Sequence, residues 1–300
     1  MPLVYRPARE QDLEPAQELV VRCINDLTER HGFGAIAAVR PALFQSFSLK
    51  NDPDGLWVAE DAGEILGFAF SWVCGDFWFL AELFVSPGHQ GRGIGNELLK
   101  RALEHARKSG ATNRALITFA FNTVSQGLYI RHGIFPRLPI YSFNVAHDVL
   151  MERLPDAPLR SVPLEESASH LRSVVRIDEQ ALGVSREKHH RHLINGSGLR
   201  GVIFSANDED VGYAYISPGG HIGPLGVAQA KHLGPAFNTA LHLAAKSGSS
   251  QVSALLSGAS DEALGIAVAH GMRVAFPLVL ASARDFGNWA QYLPRSPGFM

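Results

Sequence analysis

The chain repeats itself. Lys108-Ser109-Gly110 recurs as Lys246-Ser247-Gly248, and His132-Gly133 recurs as His270-Gly271, both at a spacing of 138 (246 − 108 and 270 − 132). The same spacing sets Ala102-Leu103 on Ala240-Leu241, so helix, strand and helix run in step from about Leu99 to Gly133. Upstream, Leu66-Gly67-Phe68-Ala69-Phe70 is echoed by Val211-Gly212-Tyr213-Ala214-Tyr215 at a spacing of 145 (211 − 66). A turn precedes each of these strands, at Asp61-Ala62-Gly63 and at Asn207-Asp208-Glu209-Asp210. Self-similarity of this kind means one structural unit used twice, and 300 residues suit two domains of about 150, each with its own core. The boundary is expected near Leu154-Pro155-Asp156-Ala157-Pro158, dividing the chain into 1–153 and 154–300, with a new strand from Leu159 to Leu164 and a helix after Glu165.

The two copies differ most at Gln90 to Gly95, which reads Gln-Gly-Arg-Gly-Ile-Gly. Three glycines in five residues let the backbone adopt positive φ and approach a ligand closely. The first N–H groups of the helix that follows have no internal partners, which makes such a loop an anion site. Its surroundings fit. Phe77 to Val85 is aromatic and β-branched, Ser86-Pro87-Gly88 ends it, and Ile94, Leu98, Leu99, Ala102, Leu103 and Ala106 recur at helical spacing before Ser109-Gly110. A dinucleotide fingerprint needs its third glycine three residues after the second; Gly91, Gly93 and Gly95 fail that spacing.

The stretch Leu80 to Phe143 resembles the GNAT superfamily of acetyl-CoA-dependent N-acetyltransferases. Gln90, Gly93 and Gly95 satisfy the defined positions of that family's Gln/Arg-x-x-Gly-x-Gly/Ala loop. Asn122 to Gly133 is similar to its asparagine, short helix and Leu-Tyr-x-x-x-Gly segment, and Val4 to Ala8 with Leu13 to Val21 is similar to its first strand and helix. The resemblance covers roughly the first 145 residues. It implies an α/β (α+β) protein of two tandem GNAT-like domains, each a mostly antiparallel twisted mixed sheet flanked by helices. It implies acetyl-CoA as co-substrate, held by the backbone of Leu83, Phe84 and Val85, by Gln90, Gly91, Arg92, Gly93, Ile94 and Gly95, and by Asn122. Backbone N–H groups of the loop are expected to be the main pyrophosphate contacts, with Arg92 either pairing with phosphate or facing solvent.

In the second copy the loop maps onto Ala228-Gln229-Ala230-Lys231-His232-Leu233, without glycine, and Tyr129 maps onto Ala267. Side chains there block close backbone approach to a pyrophosphate, so residues 154–300 are expected to be a degenerate GNAT-like domain, Lys231 and His232 being the groups left to contact phosphate. Asp178 to Arg186 resembles a segment of C-terminal halves in tandem GNAT proteins.

Acyl transfer to an amine needs a neutral amine, a polarised thioester carbonyl and a proton for the leaving thiolate. An alkyl amine of ordinary pKa is neutral in only about one molecule in 2,500 at pH 7, so a base or a desolvating pocket is required. Glu82 interrupts an apolar strand just before the loop and is either that base or a solvent-facing or salt-bridged strand residue. The resemblance makes Tyr129 the acid that protonates the coenzyme thiolate. Asn122 is a helix cap, with or without a contact to the coenzyme. The acceptor site is expected from the first helix pair and the later strands, with Glu29 to Gly34 as a flexible rim and Trp72, Phe77 and Trp78 as aromatic walls or, alternatively, core. His189-His190-x-His192 has no carboxylate at complementary spacing and basic neighbours in Arg186, Lys188 and Arg191, so it reads as a solvated helix face rather than a metal site.

A net charge of −2 from 27 basic and 29 acidic residues gives no field for nucleic acid or anionic membrane. Cys23 and Cys74 form no CxxC pair and no zinc spacing is present, so no metal is expected. Met1 to Glu10 lacks a signal-peptide core and no apolar run reaches membrane length. The reading is a cytoplasmic enzyme that acetylates a small-molecule or peptide amine, with its two domains packed as an internal pseudo-dimer in a monomer or dimer. The alternatives are another acyl-CoA donor or hydroxyl acceptor, and a non-enzymatic acyl-CoA sensor.

Overall fold

The computed structural model describes residues 3–154 and 156–300. Pro155 in the expected boundary, and Met1 and Pro2 ahead of the first strand, lie outside the described residues. Two compact units emerge. The first comprises the described residues to Pro136 together with Ala281–Arg284, and the second comprises Arg137–Leu280 with Asp285–Met300.

The first unit runs β1 (Val4–Pro7), α1 (Leu13–Arg30), α2 (Leu43–Asn51), β2 (Leu56–Asp61), β3 (Glu64–Cys74), β4 (Phe77–Val85), α3 (Ile94–Lys108), β5 (Asn113–Phe119) and α4 (Thr123–Arg131). Its strands lie in the order β1-β2-β3-β4-β5, antiparallel except for the parallel pair β4 and β5. Short turns fix the antiparallel pairs: Ala62 and Gly63, at φ 51° and 88°, make the tight connection from β2 to β3. α3 buries Ile94, Leu98, Leu99, Ala102 and Ala106, the stripe that its sequence periodicity marks, against Trp78 and Leu80 of β4 and Leu116 of β5.

The second unit continues with β6 (Phe135–Ala146), which begins in the first, then α5 (His147–Glu152), β7 (Arg160–Pro163), α6 (Ala168–Leu182), α7 (Glu187–Asn195), β8 (Arg200–Ala206), β9 (Glu209–Ile216), β10 (His221–Val227), α8 (Leu233–Ala245), β11 (Gln251–Ser257), α9 (Asp261–Ala269), β12 (Arg273–Ser282) and β13 (Tyr292–Leu293). The strand order is β12-β6-β11-β10-β9-β8-β7, with β13 beside β10. The repeat is structural as well as textual: β11 follows β5, and α9 follows α4, at the spacing of 138 (251 − 113 and 261 − 123). Asn122 and Ser260, the matching residues, each accept the backbone N–H three residues on and cap their helices.

Sequence halves and compact units part at 137–153. That segment lies before the expected boundary of 154, yet it belongs to the second unit, because β6 pairs with β11 residue for residue from Ala146↔Gln251 to Ile140↔Ser257. The linker prolines signal where the repeat restarts; they carry no information about which sheet a preceding strand joins.

Candidate active site

β4 and β5 are paired only from Phe77↔Asn113 to Leu80↔Leu116. Beyond Leu80, β4 turns away, and Glu82 to Val85 keep their pairing with β3 alone. The N–H and C=O groups that the parent ladder satisfied are thus released on one side of β4, the arrangement an extended ligand needs to add itself as a strand.

A bulge sits at the same point. Leu80 pairs with Ser71 and Glu82 with Phe70, which leaves Ala81 as the extra residue. The extra residue inverts the alternation of side chains. Trp78 and Leu80 lie on the α3 side, and after the bulge Leu83 and Val85 take that side, so Glu82 turns with Phe70 to the face covered by α2. Gln45 of α2 meets it there: its Nε2 donates to Glu82 Oε1 at 2.9 Å and to Gln17 Oε1 at 3.0 Å. Glu82 Oε2 is buried and has no hydrogen-bond partner. Burial pushes the Glu82 carboxyl up to about 7, opposed by the bond from Gln45. The strand position is therefore neither solvent-facing nor salt-bridged.

At the end of β4 the glycine loop is held to the strand by Gln90, whose Nε2 donates to the Val85 carbonyl at 3.1 Å. The Cys23 thiol of α1 donates to the same oxygen at 3.3 Å, and burial pushes that thiol up to about 12, which leaves it unreactive. Gly91 and Gly93 take φ of 77° and 83°, and Gly93 is the residue before α3. A Cβ at either would meet nothing within 4 Å, so it is the left-handed backbone, not crowding by the protein, that requires glycine. α3 has no side-chain cap at its first turn, leaving its leading N–H groups open. Arg92 reaches back to the Gly88 carbonyl at 3.4 Å from an exposed position.

Tyr129 of α4 is buried with Ile94 and Leu98 of α3, on the side of the sheet opposite Glu82. Burial raises its phenol above the usual range, and a hydrogen bond with Ser125 one turn earlier offsets part of this. Asn122 Oδ1 accepts the Ser125 N–H at 3.2 Å, so Ser125 connects the cap to the tyrosine, about one turn from each.

Two sequence expectations fail, and one residue of the site is missed. Trp72, Phe77 and Trp78 form no acceptor wall; they are 0–4% exposed, and Trp72 stacks on Phe79 at 4.9 Å in the core. His189 and His190 are not solvated, each being 1% exposed. The carboxylate that meets them comes from α6: Asp178 accepts from Arg186 and from Tyr213, and its Oδ2 lies 2.9 Å from His190 Nε2. Among the described residues no group of three or more His, Cys, Asp and Glu is placed to hold a metal. The missed residue is Gln45, a neutral residue in a helix without amphipathic signal that turns out to hold Glu82.

The second unit fills its own version of the site. β10 and β11 pair only at His221↔Ser253 and Ile222↔Ala254 before they separate. The edge freed on β10 is then taken by β13, through Leu225↔Leu293 and Gly226↔Tyr292, and Gln291 bonds Val227 on both sides. The loop before α8 is a turn of 3-10 helix, Ala230–His232, without positive φ. A Cβ on Gly234, in the first turn of α8, would fall 2.0 Å from Glu262 Oε1, so the chain's own carboxylate occupies that helix start.

Residues 21–134 match the model of the acetyltransferase (GNAT) family. Uncharacterized N-acetyltransferases of Methanocaldococcus jannaschii and Archaeoglobus fulgidus are 36% identical over 72 residues and 41% identical over 68. These matches cover 21% and 19% of this chain, and 30% and 44% of the relatives' own lengths. Among solved structures, that of a proposed acetyltransferase from Pyrococcus horikoshii is similar at a TM-score of 0.76 and 18% identity, over 99% of this chain and 96% of that one. A tandem GNAT protein from the clavulanic acid biosynthesis pathway is similar at 0.64 and 18% identity, over 95% and 99%. At such identities the likeness is one of fold, and it runs the length of the chain. Residues 21–134 are thus similar to the GNAT acetyltransferase family, and the chain shares its fold along its length with a tandem GNAT protein.

Proposed function

We propose that the first unit transfers an acetyl group from acetyl-CoA to a primary amine, by direct attack within a ternary complex, and that the second unit binds no coenzyme. The observation that carries this reading is the coincidence, within fourteen residues from Glu82 to Gly95, of a released strand edge, a buried carboxyl with one unpartnered oxygen, and two left-handed glycines leading into an uncapped helix.

Acetyl-CoA supplies the activated acyl carbon. The backbone from Gly91 to Gly95, with Ile94 opening α3 and Arg92 beside it, receives the pyrophosphate. Gln90 holds that loop to the strand. Leu83, Phe84 and Val85 offer backbone groups to the pantetheine, and Asn122 positions the helix that carries Tyr129. Glu82 takes the amine's proton through Oε2, directly or through a water, as the C–N bond forms and the C–S bond breaks. Tyr129 donates a hydrogen bond to the departing sulfur. Because its phenol is raised, it holds its proton at rest and releases it only as negative charge develops on sulfur; the phenolate is restored by the proton taken up at Glu82, by way of solvent.

Coenzyme release from acetyl-CoA, measured against a panel of primary amines, tests the proposal. Turnover is expected with at least one amine, reduced about 100-fold in Tyr129→Phe, with acetyl-CoA affinity retained in the variant. Tight acetyl-CoA binding without turnover on any acceptor would replace the enzyme with a sensor of acyl-CoA.

A further inference from the structure

The opening that separates β4 from β5 is polar at one point and aromatic across from it. On the β4 arm, Glu82 lies beside Phe70, whose ring is 5.3 Å from that of Phe44 of α2. On the β5 arm, Leu116 packs on the α3 side, so the alternation of a strand turns Phe119 to the face that Glu82 occupies. Phe119 stacks on Phe121 at 5.1 Å, and Phe121 stacks on Phe33 at 4.8 Å, Phe33 coming from the segment after α1. Phe33 is 36% exposed.

Charge around this opening is restricted. Residues 31–50, which join α1 to α2 and form α2, contain His31, Arg40 and Lys50 but no Asp or Glu. The hydrogen-bonded neighbour of Glu82 is the uncharged amide of Gln45, which donates in turn to Gln17. Of the acids on the elements around it, Asp26 pairs with Arg30 at 2.6 Å and Glu10 accepts from the Ser46 hydroxyl at 2.7 Å, and Glu29, at the end of α1, is exposed to solvent. A polycation would leave its further charges unmatched against a basic segment, whereas a flat apolar body finds rings to stack on.

We propose that the acceptor is a primary amine carried on an aromatic or comparably flat apolar body, with no further positive charge, its nitrogen at Glu82 and its body against the stack of Phe33, Phe121 and Phe119. This rests on the acetyl-transfer reading above and adds the acceptor class to it. The amine is the part of such an acceptor that needs a polar partner, and Glu82 Oε2 is a buried carboxylate oxygen that has none.

The test compares kcat/KM for 2-phenylethylamine, ethanolamine and spermidine, alongside equilibrium dialysis of 2-phenylethylamine with protein saturated in coenzyme A. The expected result is 2-phenylethylamine preferred at least tenfold over both others. In Phe33→Ala, where the ring is partly exposed, and in Phe121→Ala, each checked for an unchanged circular-dichroism spectrum, KM for 2-phenylethylamine rises about tenfold while KM for acetyl-CoA stays within twofold. Preference for spermidine or ethanolamine, or an unchanged KM in both variants, overturns the acceptor class and leaves acetyl transfer standing. Saturable binding of 2-phenylethylamine, weakened in both variants but without turnover, supports the acceptor site and overturns acetyl transfer. Neither binding nor turnover overturns both.

Discussion

Replacing Glu82 by Gln is expected to lower kcat/KM by about 10²–10⁴-fold and to remove the acidic limb of the pH–rate profile. The sign follows from burial. A carboxyl held near 7 is largely protonated at pH 6, so a base of this kind works only as pH rises through about 7. Wild-type kcat/KM should climb through that value and level off above it, and the residual rate of Glu82→Gln should show no such limb. The same group acts on stability in a defined direction. A carboxyl whose folded value is raised holds its proton more tightly than in the unfolded chain, so its contribution is present below the ordinary carboxylate range and is lost as pH rises through about 7. The variant cannot ionise. Its thermal midpoint should therefore gain on the wild type between pH 5 and pH 8, read by circular dichroism. A rate limb near 7 that survives the substitution would take the base away from Glu82.

The second large effect is structural and lies in the other unit. Asp178, Arg186, His190 and Tyr213 form one buried cluster, with Asp178 and Tyr213 0% exposed and Arg186 and His190 1% exposed. Arg186 reaches Asp178 through Nε at 2.9 Å and through a second nitrogen at 3.0 Å. It also donates to Tyr213 and to the Met300 carbonyl, and its guanidinium lies 5.1 Å from the centre of the Tyr292 ring. Burial alone would raise the Asp178 carboxyl, but the charges of Arg186 and His190 overcome it and hold the carboxyl well below its usual range. Asp178→Ala strands a guanidinium away from water. Breaking such a pair costs about 3–5 kcal/mol, and the thermal midpoint should fall by about 10 °C. Here the pH sign is the reverse of that at Glu82. Stability from Asp178 is full above the ordinary carboxylate range and disappears as pH drops toward its depressed folded value. A midpoint within 2 °C of the wild type at pH 7 would show that the cluster contributes little.

What could be read in the sequence was local. The stripe of α3, the tight turn at Ala62-Gly63, the cap at Asn122 and the positive φ of Gly91 and Gly93 all lie where residue type and spacing place them. Each depends on neighbours within a turn or two. What escaped depends on partners far along the chain. Nothing in Leu80-Ala81-Glu82 announces a bulge, yet the bulge decides that Glu82 faces Gln45, 37 residues away, and not α3. The histidine run looked solvated because its counter-charge was sought at helical spacing, whereas Asp178 comes from the preceding helix, 12 residues before His190. The closing of the second site was half legible. Loss of its glycines is plain in Ala228 to Leu233, but the strand that takes the free edge of β10 is only two residues long and 65 or more residues downstream (292 − 227), too short for any pattern.

The measurement that bears most directly on the central claim is the stoichiometry of acetyl-CoA binding by isothermal titration, for the wild type and for Gly93→Val. A β-branched residue at φ 83° is strained by about 1–3 kcal/mol, little enough to leave the fold standing, and it puts a side chain where the loop must meet phosphate. One acetyl-CoA per chain, with binding abolished in Gly93→Val, is the result that a single open site in the first unit predicts. Two per chain, or one that Gly93→Val leaves intact, would contradict it.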